Sequence, residues 1–277
     1  MGFRINTNVA SISAQRSLSQ TNKVQENVLA KLSSGTRISQ AADDAAGLAI
    51  SEKLKAQIRG TNQATRNAND GISMVQTAEG GLNEVSNILV RLRELSVQSA
   101  SDTVGDTERK FSDLEYQNLK QEIERISQVT EFNGLKLLSG EGEQLDFQIG
   151  IHNDAFKDRI SYDRQATSSG LDNLGMSSIS VMNKQGAQES LGTIDKAIES
   201  ISGSRANLGA LQNRLSSTVN NLQVSSENMS AANSRIRDTD YAEATAQNAK
   251  MGILNAAGTS VLGQANMQTQ NALKLIG

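Results

Sequence analysis

Proline, cysteine and tryptophan are all missing from the 277 residues, and histidine occurs once, as His152. Each absence excludes something. At ordinary usage of roughly 5%, a chain this long would carry about 14 prolines. Without them no helix interior meets the residue that costs it ~3 kcal/mol. Lack of cysteine rules out disulfides and thiolate metal sites. A single histidine rules out an HExxH zinc site and any two-histidine site. With aromatics at 3%, a globular core would lack its usual bulky fillers. The net charge of −3 is too small to point to nucleic acid or an acidic membrane. No GxxxxGK[ST] or GxGxxG stretch occurs. No catalytic, cofactor-binding or metal-ligating residue is assigned, and the chain reads as a non-enzyme.

Charge is also scarce at both ends. Residues 1–22 carry only Arg4 and Arg16, and residues 251–277 only Lys274. Between them stand Ala, Ser, Thr, Gly, Asn and Gln, punctuated by Ile5, Val9, Ile12, Leu254, Val261, Leu262 and Leu275. Charge is expelled where water is to be excluded, whereas amides can satisfy one another. Chain ends are normally solvated and frayed, so ends composed for burial predict a polymer subunit. Membrane insertion is not expected. The uncharged stretch 251–273 contains Asn255, Gln264, Asn266, Gln268, Gln270 and Asn271, amides too costly for a bilayer core. The first residues lack the basic start and apolar run of a secretory signal.

Periodicity fixes the architecture. Ala187, Ile194, Ile201, Leu208, Leu215, Leu222 and Met229 recur at steps of seven, with a second seam through Leu191, Ile198 and Val219. Sustained heptads predict a long helix packed lengthwise on other helices. Over 187–229 it would extend about 64 Å, against a radius of gyration of ~19 Å for a compact globule of this length. Leu54, Thr61, Ala68, Val75, Leu82 and Leu89 repeat the pattern in the first half, predicting a helix over 44–100. Asp43 and Asp44 would cap it. A further helix is expected over 106–130, with Leu114, Ile123 and Ile126 facing inward.

Between 131 and 185 the pattern changes. Phe132-Asn133-Gly134 signals a turn. Leu145, Phe147 and Ile149, then Ile160 and Tyr162, alternate with polar residues around His152-Asn153-Asp154, which predicts a β-hairpin over 143–163. His152 falls at its tip as a solvated residue. The expected fold class is mainly α: an elongated rod of coiled-coil-like helices from both halves, with a small β-hairpin region. Expected domains are a terminal helical pair, 1–43 with 236–277, and a rod, 44–235. The rod core is assigned to Leu54, Val75, Leu82, Leu89, Ile194, Ile201, Leu208, Leu215 and Leu222. Glycines Gly71, Gly80 and Gly81 inside a helical pattern point to close packing more than to phosphate binding. Arg91, Arg93 and Glu94 read as a solvated face with intrahelical ion pairs.

Leu32-Ser33-Ser34-Gly35-Thr36-Arg37-Ile38 and Asp43-Asp44-Ala45-Ala46-Gly47-Leu48-Ala49-Ile50, with 69–80 and Phe132-Asn133-Gly134, resemble the N-terminal fingerprint of bacterial flagellin. Ser234-Arg235-Ile236, Asp240-Tyr241-Ala242 and 257–266 resemble its C-terminal fingerprint. The resemblance covers about four-fifths of the chain. It implies a subunit that polymerises with itself into the helical flagellar filament for motility. Such a subunit is extracellular and leaves through the flagellar secretion apparatus without a cleaved signal peptide. The terminal helices would pair at the filament core, through Ile5, Val9, Ile12, Leu254, Gly258, Val261, Leu262, Ala265, Ala272 and Leu275. The short middle implies a form without outer variable domains. Implied partners are an export chaperone, the filament cap and hook-junction proteins. Arg91, Leu95 and Glu115 resemble a patch that vertebrate Toll-like receptors, innate immune receptors, recognise, and the same patch would touch neighbouring subunits. Ser168, Ser169, Ser177 and Ser178 are candidates for surface glycosylation. The alternative within the resemblance is a hook–filament junction protein. The terminal segments are expected to be disordered in the free subunit and to fold on joining the polymer.

Overall fold

The computed structural model describes residues 7–274, with side chains through 267. Five helices and two small antiparallel strand pairs account for it: α1 (Val9–Ser34), α2 (Ala45–Ser99), α3 (Asp106–Val129), β1 (Glu131–Phe132), β2 (Leu135–Lys136), β3 (Leu145–Gln148), β4 (Arg159–Tyr162), α4 (Lys184–Arg237) and α5 (Tyr241–Lys274). Helix α2, of 55 residues, runs within one residue of the predicted 44–100 at each end, whereas α4, of 54 residues, extends beyond the predicted 187–229 at both ends, mostly at its C-terminus. The expected mainly α class with a small hairpin is what is found. The chain divides into two compact units, Met1–Ala56 with Asn228–Gly277 and Gln57–Glu227. The sequence reading placed these divisions at 43/44 and 235/236.

Helix boundaries follow local chemistry. Asn8 caps α1, its side-chain oxygen accepting from the Ser11 N–H at 3.0 Å, and Gly35 ends the helix at φ +68°, a left-handed conformation that glycine adopts without a Cβ penalty. Before α2, Asp44 accepts from the Gly47 N–H at 2.9 Å. Asp43 does not cap that helix. It accepts instead from the N–H groups of Ser39 and Gln40 at 3.1 Å each. These hydrogen bonds, Gln40's first, hold its carboxyl below the ordinary range. At α5, Asp240 accepts from the N–H groups of Ala242 and Glu243. Asn133 and Gly134, both at positive φ, make the two-residue turn between β1 and β2.

The larger unit carries the main core. Val75, Leu82, Leu89 and Leu92 of α2 meet Tyr116 and Ile123 of α3, and Ile194, Ile201, Leu208 and Leu215 of α4. Leu54 and Leu222, also assigned to a core, are only half-buried. On α3, Ile123 is buried and Ile126 packs on the core, but Leu114 is 64% exposed. The inward face of α3 runs through Tyr116, Lys120, Ile123 and Ser127, and Leu114 lies off that phase. The β3–β4 hairpin pairs Phe147 with Ile160 and lies on α2. A Cβ at Gly71 would stand 3.2 Å from the Phe147 ring, and one at Gly81 only 2.7 Å from Leu138. Those two glycines are therefore packing sites, while Gly80 faces open space. Tyr162 anchors the hairpin by donating to the Leu137 carbonyl at 2.9 Å. Lys120, buried, donates to the carbonyls of Ser177 and Ile179 at 3.0 Å each and pins the segment before α4.

In the smaller unit α1 and α5 pack antiparallel. Their connections to the neighbouring helices are also tied together: the Arg37 N–H donates to the Arg237 carbonyl at 2.6 Å and the Thr239 N–H to the Gly35 carbonyl at 3.0 Å. Arg37 adds a hydrogen bond to the Ile236 carbonyl, and Arg237 pairs with Glu52.

Candidate assembly surface

The α1–α5 seam is built from small and polar residues. Ser11, Ala14, Leu18, Thr21, Gln25 and Val28 form one inward row, at steps of three and four. Ala244, Asn248, Met251, Asn255, Gly258, Leu262 and Ala265 form the other. Amides and hydroxyls stitch the rows together. Asn8 donates to the Ala265 carbonyl at 2.9 Å, Ser11 to the Asn266 side chain at 2.8 Å, and Asn255 to Gln25. At Gly258 a Cβ would stand 3.1 Å from Leu18, so glycine there sets the close approach. Few seam residues are fully buried; Val28, Ala244 and Ala265 are.

The residues assigned to the filament core therefore divide between two faces. Gly258 and Leu262 are half-buried and Ala265 is 8% exposed, all on the side of α5 that meets α1. Val9, Ile12, Leu254 and Val261 lie exposed, away from that seam. Ile5 and Leu275 lie outside the described residues, as does the side chain of Ala272. Sequence reasoning missed Val24, Leu29, Ile253 and Met267, which are also exposed and apolar. The outer surface of α5 thus combines apolar side chains with little charge between Lys250 and Lys274, as does that of α1 before Arg16, while Lys23 and Glu26 stand among the apolar residues farther along α1. Such surface favours coverage by other protein.

A second candidate surface lies on α2 and α3. Arg91 donates to Glu115 at 3.0 Å and to Glu94 at 2.9 Å, and these bonds raise its pKa, the one to Glu94 most. Arg93 pairs with Asp195 of α4 at 2.8 Å. The solvated charged face expected there is present, but its ion pairs also join helices. Leu95 does not belong to it. At 2% exposure it lies in the core between helices, because α2 is covered on more than one side. Around Arg91 and Glu115 the exposed apolar residues are Val90, Val97, Phe111 and Leu114.

Of the candidate glycosylation sites, Ser177 and Ser178 are exposed, whereas Ser168 and Ser169 are buried. The Ser169 N–H donates to the Leu138 carbonyl, and Ser168 accepts from Asn173. Among the described residues, no group of three or more His, Cys, Asp or Glu is placed to hold a metal, and no helix is long and apolar enough to cross a membrane.

Two family patterns match the chain: the bacterial flagellin N-terminal helical region over residues 5–143 and the bacterial flagellin C-terminal helical region over 191–276. A flagellin of Halalkalibacterium halodurans is 42% identical over 272 residues, covering 98% of this chain and 99% of that protein. The flagellar filament 33 kDa core protein of Treponema phagedenis is 42% identical over 283 residues, with the same coverage. Among solved structures, the crystal structure of Bacillus cereus flagellin superposes with a TM-score of 0.50 at 31% identity, over 61% of this chain and 94% of that one.

Proposed function

We infer the function from one premise: the chain belongs to the bacterial flagellin family. It is a structural subunit that assembles with copies of itself into the flagellar filament, outside the cell. The junction-protein alternative is not favoured, because the relatives are named as flagellins and filament core proteins. The observation that carries the physical account is the outward row Val9, Ile12, Leu254 and Val261 on helices from opposite chain ends, bare of charge and uncovered in the single chain. Packed against several neighbours, that row becomes the inner layer of the polymer. Folding of the terminal helices and polymerisation are then one event.

Removal of residues 1–43 or 236–277 tests this. Either truncated protein is expected to remain soluble and helical in its larger unit and to form no filaments. Growth of normal filaments from either would refute the assignment.

Finer features extend the same reading. The subunit is exported through the flagellar secretion apparatus without cleavage of a signal. An export chaperone takes α5 by its exposed apolar residues Ile253, Leu254 and Val261, in the helix-in-groove mode, and the filament cap and hook-junction proteins contact the terminal helices. For an innate immune receptor, Arg91 and Glu115 offer an exposed, charged pair, while Leu95 acts by supporting the helix beneath them.

A further inference from the structure

Between the β3–β4 hairpin and α4 lies a depression of about 410 Å³, a volume within the range of small-ligand sites. The buried side chains of Ile149 and Ile160 form its apolar floor. Lys157 and Arg159 line the hairpin side and Arg214 the α4 side. Ser217 and Thr218 follow Arg214 at three and four residues, which puts all three on one helix face, with Asn213 beside them. Phe156 makes one wall while remaining 92% exposed. Its turn is ordered: Asp154 accepts from the N–H groups of Phe156 and Lys157 at 2.9 and 3.2 Å. Among the described residues, no carboxylate lines the depression.

The cations keep donors to offer. Arg159 donates from Nε to the Gln148 side chain at 3.3 Å and from a terminal nitrogen to Asn153. Those bonds orient the guanidinium and leave three of its five N–H groups open. Among the described residues, the Arg214 side chain has no hydrogen bond or ion pair; only its carbonyl is engaged, by Thr218. Lys157 reaches Asp154 alone, at 3.6 Å.

We propose that this depression binds one acidic residue of a polysaccharide, a uronate or a sulfated sugar, and that the filament adheres to such polymers through it. The Arg159 and Arg214 forks take the carboxylate or sulfate in the planar geometry that guanidinium favours. Phe156 offers its ring to the C–H face of the sugar, and Asn213, Ser217 and Thr218 exchange hydrogen bonds with its hydroxyls. A bare inorganic anion would use neither the ring nor the amide. Nucleic acid fits less well, because a chain of net charge −3 does not attract a polyanion as a whole. One aromatic and three local cations suit a single sugar, not a tracked phosphate backbone. An open site of this kind is weak alone. Repeated along one polymer and met by another, it gains avidity, and in that respect the proposal goes beyond the filament reading.

Isothermal titration of the monomer with oligogalacturonate and with heparin oligosaccharide separates the two acidic groups. At least one is expected to bind, and neutral maltodextrin is not. Arg214→Glu is expected to weaken binding by about 10-fold or more, the loss of a charge-assisted contact, and Phe156→Ala by about 3- to 10-fold. Both residues are exposed, so the circular dichroism spectrum should not change. Lys196→Glu makes a like charge change on α4, about 27 Å along the helix from Arg214, and should bind as the wild type does. Assembled filaments should carry polygalacturonate or heparin into the pellet on sedimentation. Failure of both acidic sugars to bind, equal weakening by Lys196→Glu, or binding of oligoglutamate as tightly as the sugars would overturn the site. Filaments that leave the polymer in solution, although the monomer binds, would overturn the adhesive role. Protein that forms no filaments at all would sink the filament reading, while the monomer titration still decides the site.

Discussion

A charge placed at Val261 separates what the single chain needs from what the filament needs. In the chain by itself Val261 is 58% exposed on α5, turned away from α1. An aspartate there stays hydrated and should alter the stability of the subunit by no more than about 0.5 kcal/mol. In a filament whose inner layer covers this face, the same carboxylate is buried without a partner. That costs roughly 3–5 kcal/mol per subunit. At about 1.4 kcal/mol per tenfold, the critical concentration rises between ~100- and ~3,000-fold. The assay is seeded growth followed by sedimentation, in which the protein left in the supernatant is the critical concentration. Burial also raises the pKa of the new carboxyl, so the defect should lessen as pH falls through that raised value and the group becomes neutral. Ala265→Asp is the contrast. Ala265 is buried against α1, so its replacement strikes the α1–α5 seam as well as assembly. A Val261→Asp protein that assembles at the wild-type concentration at neutral pH would refute the covered outer row.

Other outcomes follow from the same structure. Burial pushes the Tyr116 hydroxyl from its ordinary 10.0 up to about 12; a raised folded pKa stabilises fully below pH 10, and that contribution is lost as pH rises through the folded value. Urea midpoints measured from pH 9 to 12 should therefore fall, and Tyr116→Phe should fall less steeply. Leu95→Ala should cost about 2–5 kcal/mol of unfolding free energy, whereas Arg91→Ala, which loses only solvent-exposed ion pairs, should leave stability nearly unchanged. If receptor binding is then measured, Arg91→Ala abolishes a contact, while loss of binding in Leu95→Ala tracks its loss of fold; equal stability of the two variants would contradict the burial of Leu95. Lys120→Met removes the donor to the Ser177 and Ile179 carbonyls, and should destabilise by about 1–3 kcal/mol with faster amide exchange in 176–183.

The long helices were legible because bulky residues repeat every seventh position and no proline interrupts them. Leu82, Leu89, Ile201 and Leu208 contrast sharply with their neighbours, and the alternation of Leu145, Phe147, Ile160 and Tyr162 announced the hairpin as clearly. Faces built from small residues were harder to read. The inward row of α5 runs through Ala244, Gly258 and Ala265, and that of α1 through Ser11, Ala14 and Thr21, none apolar enough to stand out. Val261 and Leu254 drew attention instead, yet in the chain they point outward. Leu114 misled for the opposite reason: an apolar side chain was taken as inward, although the phase of α3 is set by Tyr116, Lys120 and Ile123. Ser168 and Ser169 looked like a solvated loop, but the Ser169 N–H and the Ser168 hydroxyl find partners inside. Polar residues with local partners are buried without any trace in hydropathy.

The most direct test compares amide hydrogen exchange in the two helices of the smaller unit, free and assembled. In dilute monomer the amides of α1 and α5 should exchange within seconds, since backbone ordering costs roughly 1–2 kcal/mol per residue and their shared seam is thin, while the α2 and α4 amides of the larger unit stay protected. In filaments the α1 and α5 amides should become as slow as the rest. Slow exchange throughout α1 and α5 in the monomer would contradict the claim that neighbouring subunits supply their structure.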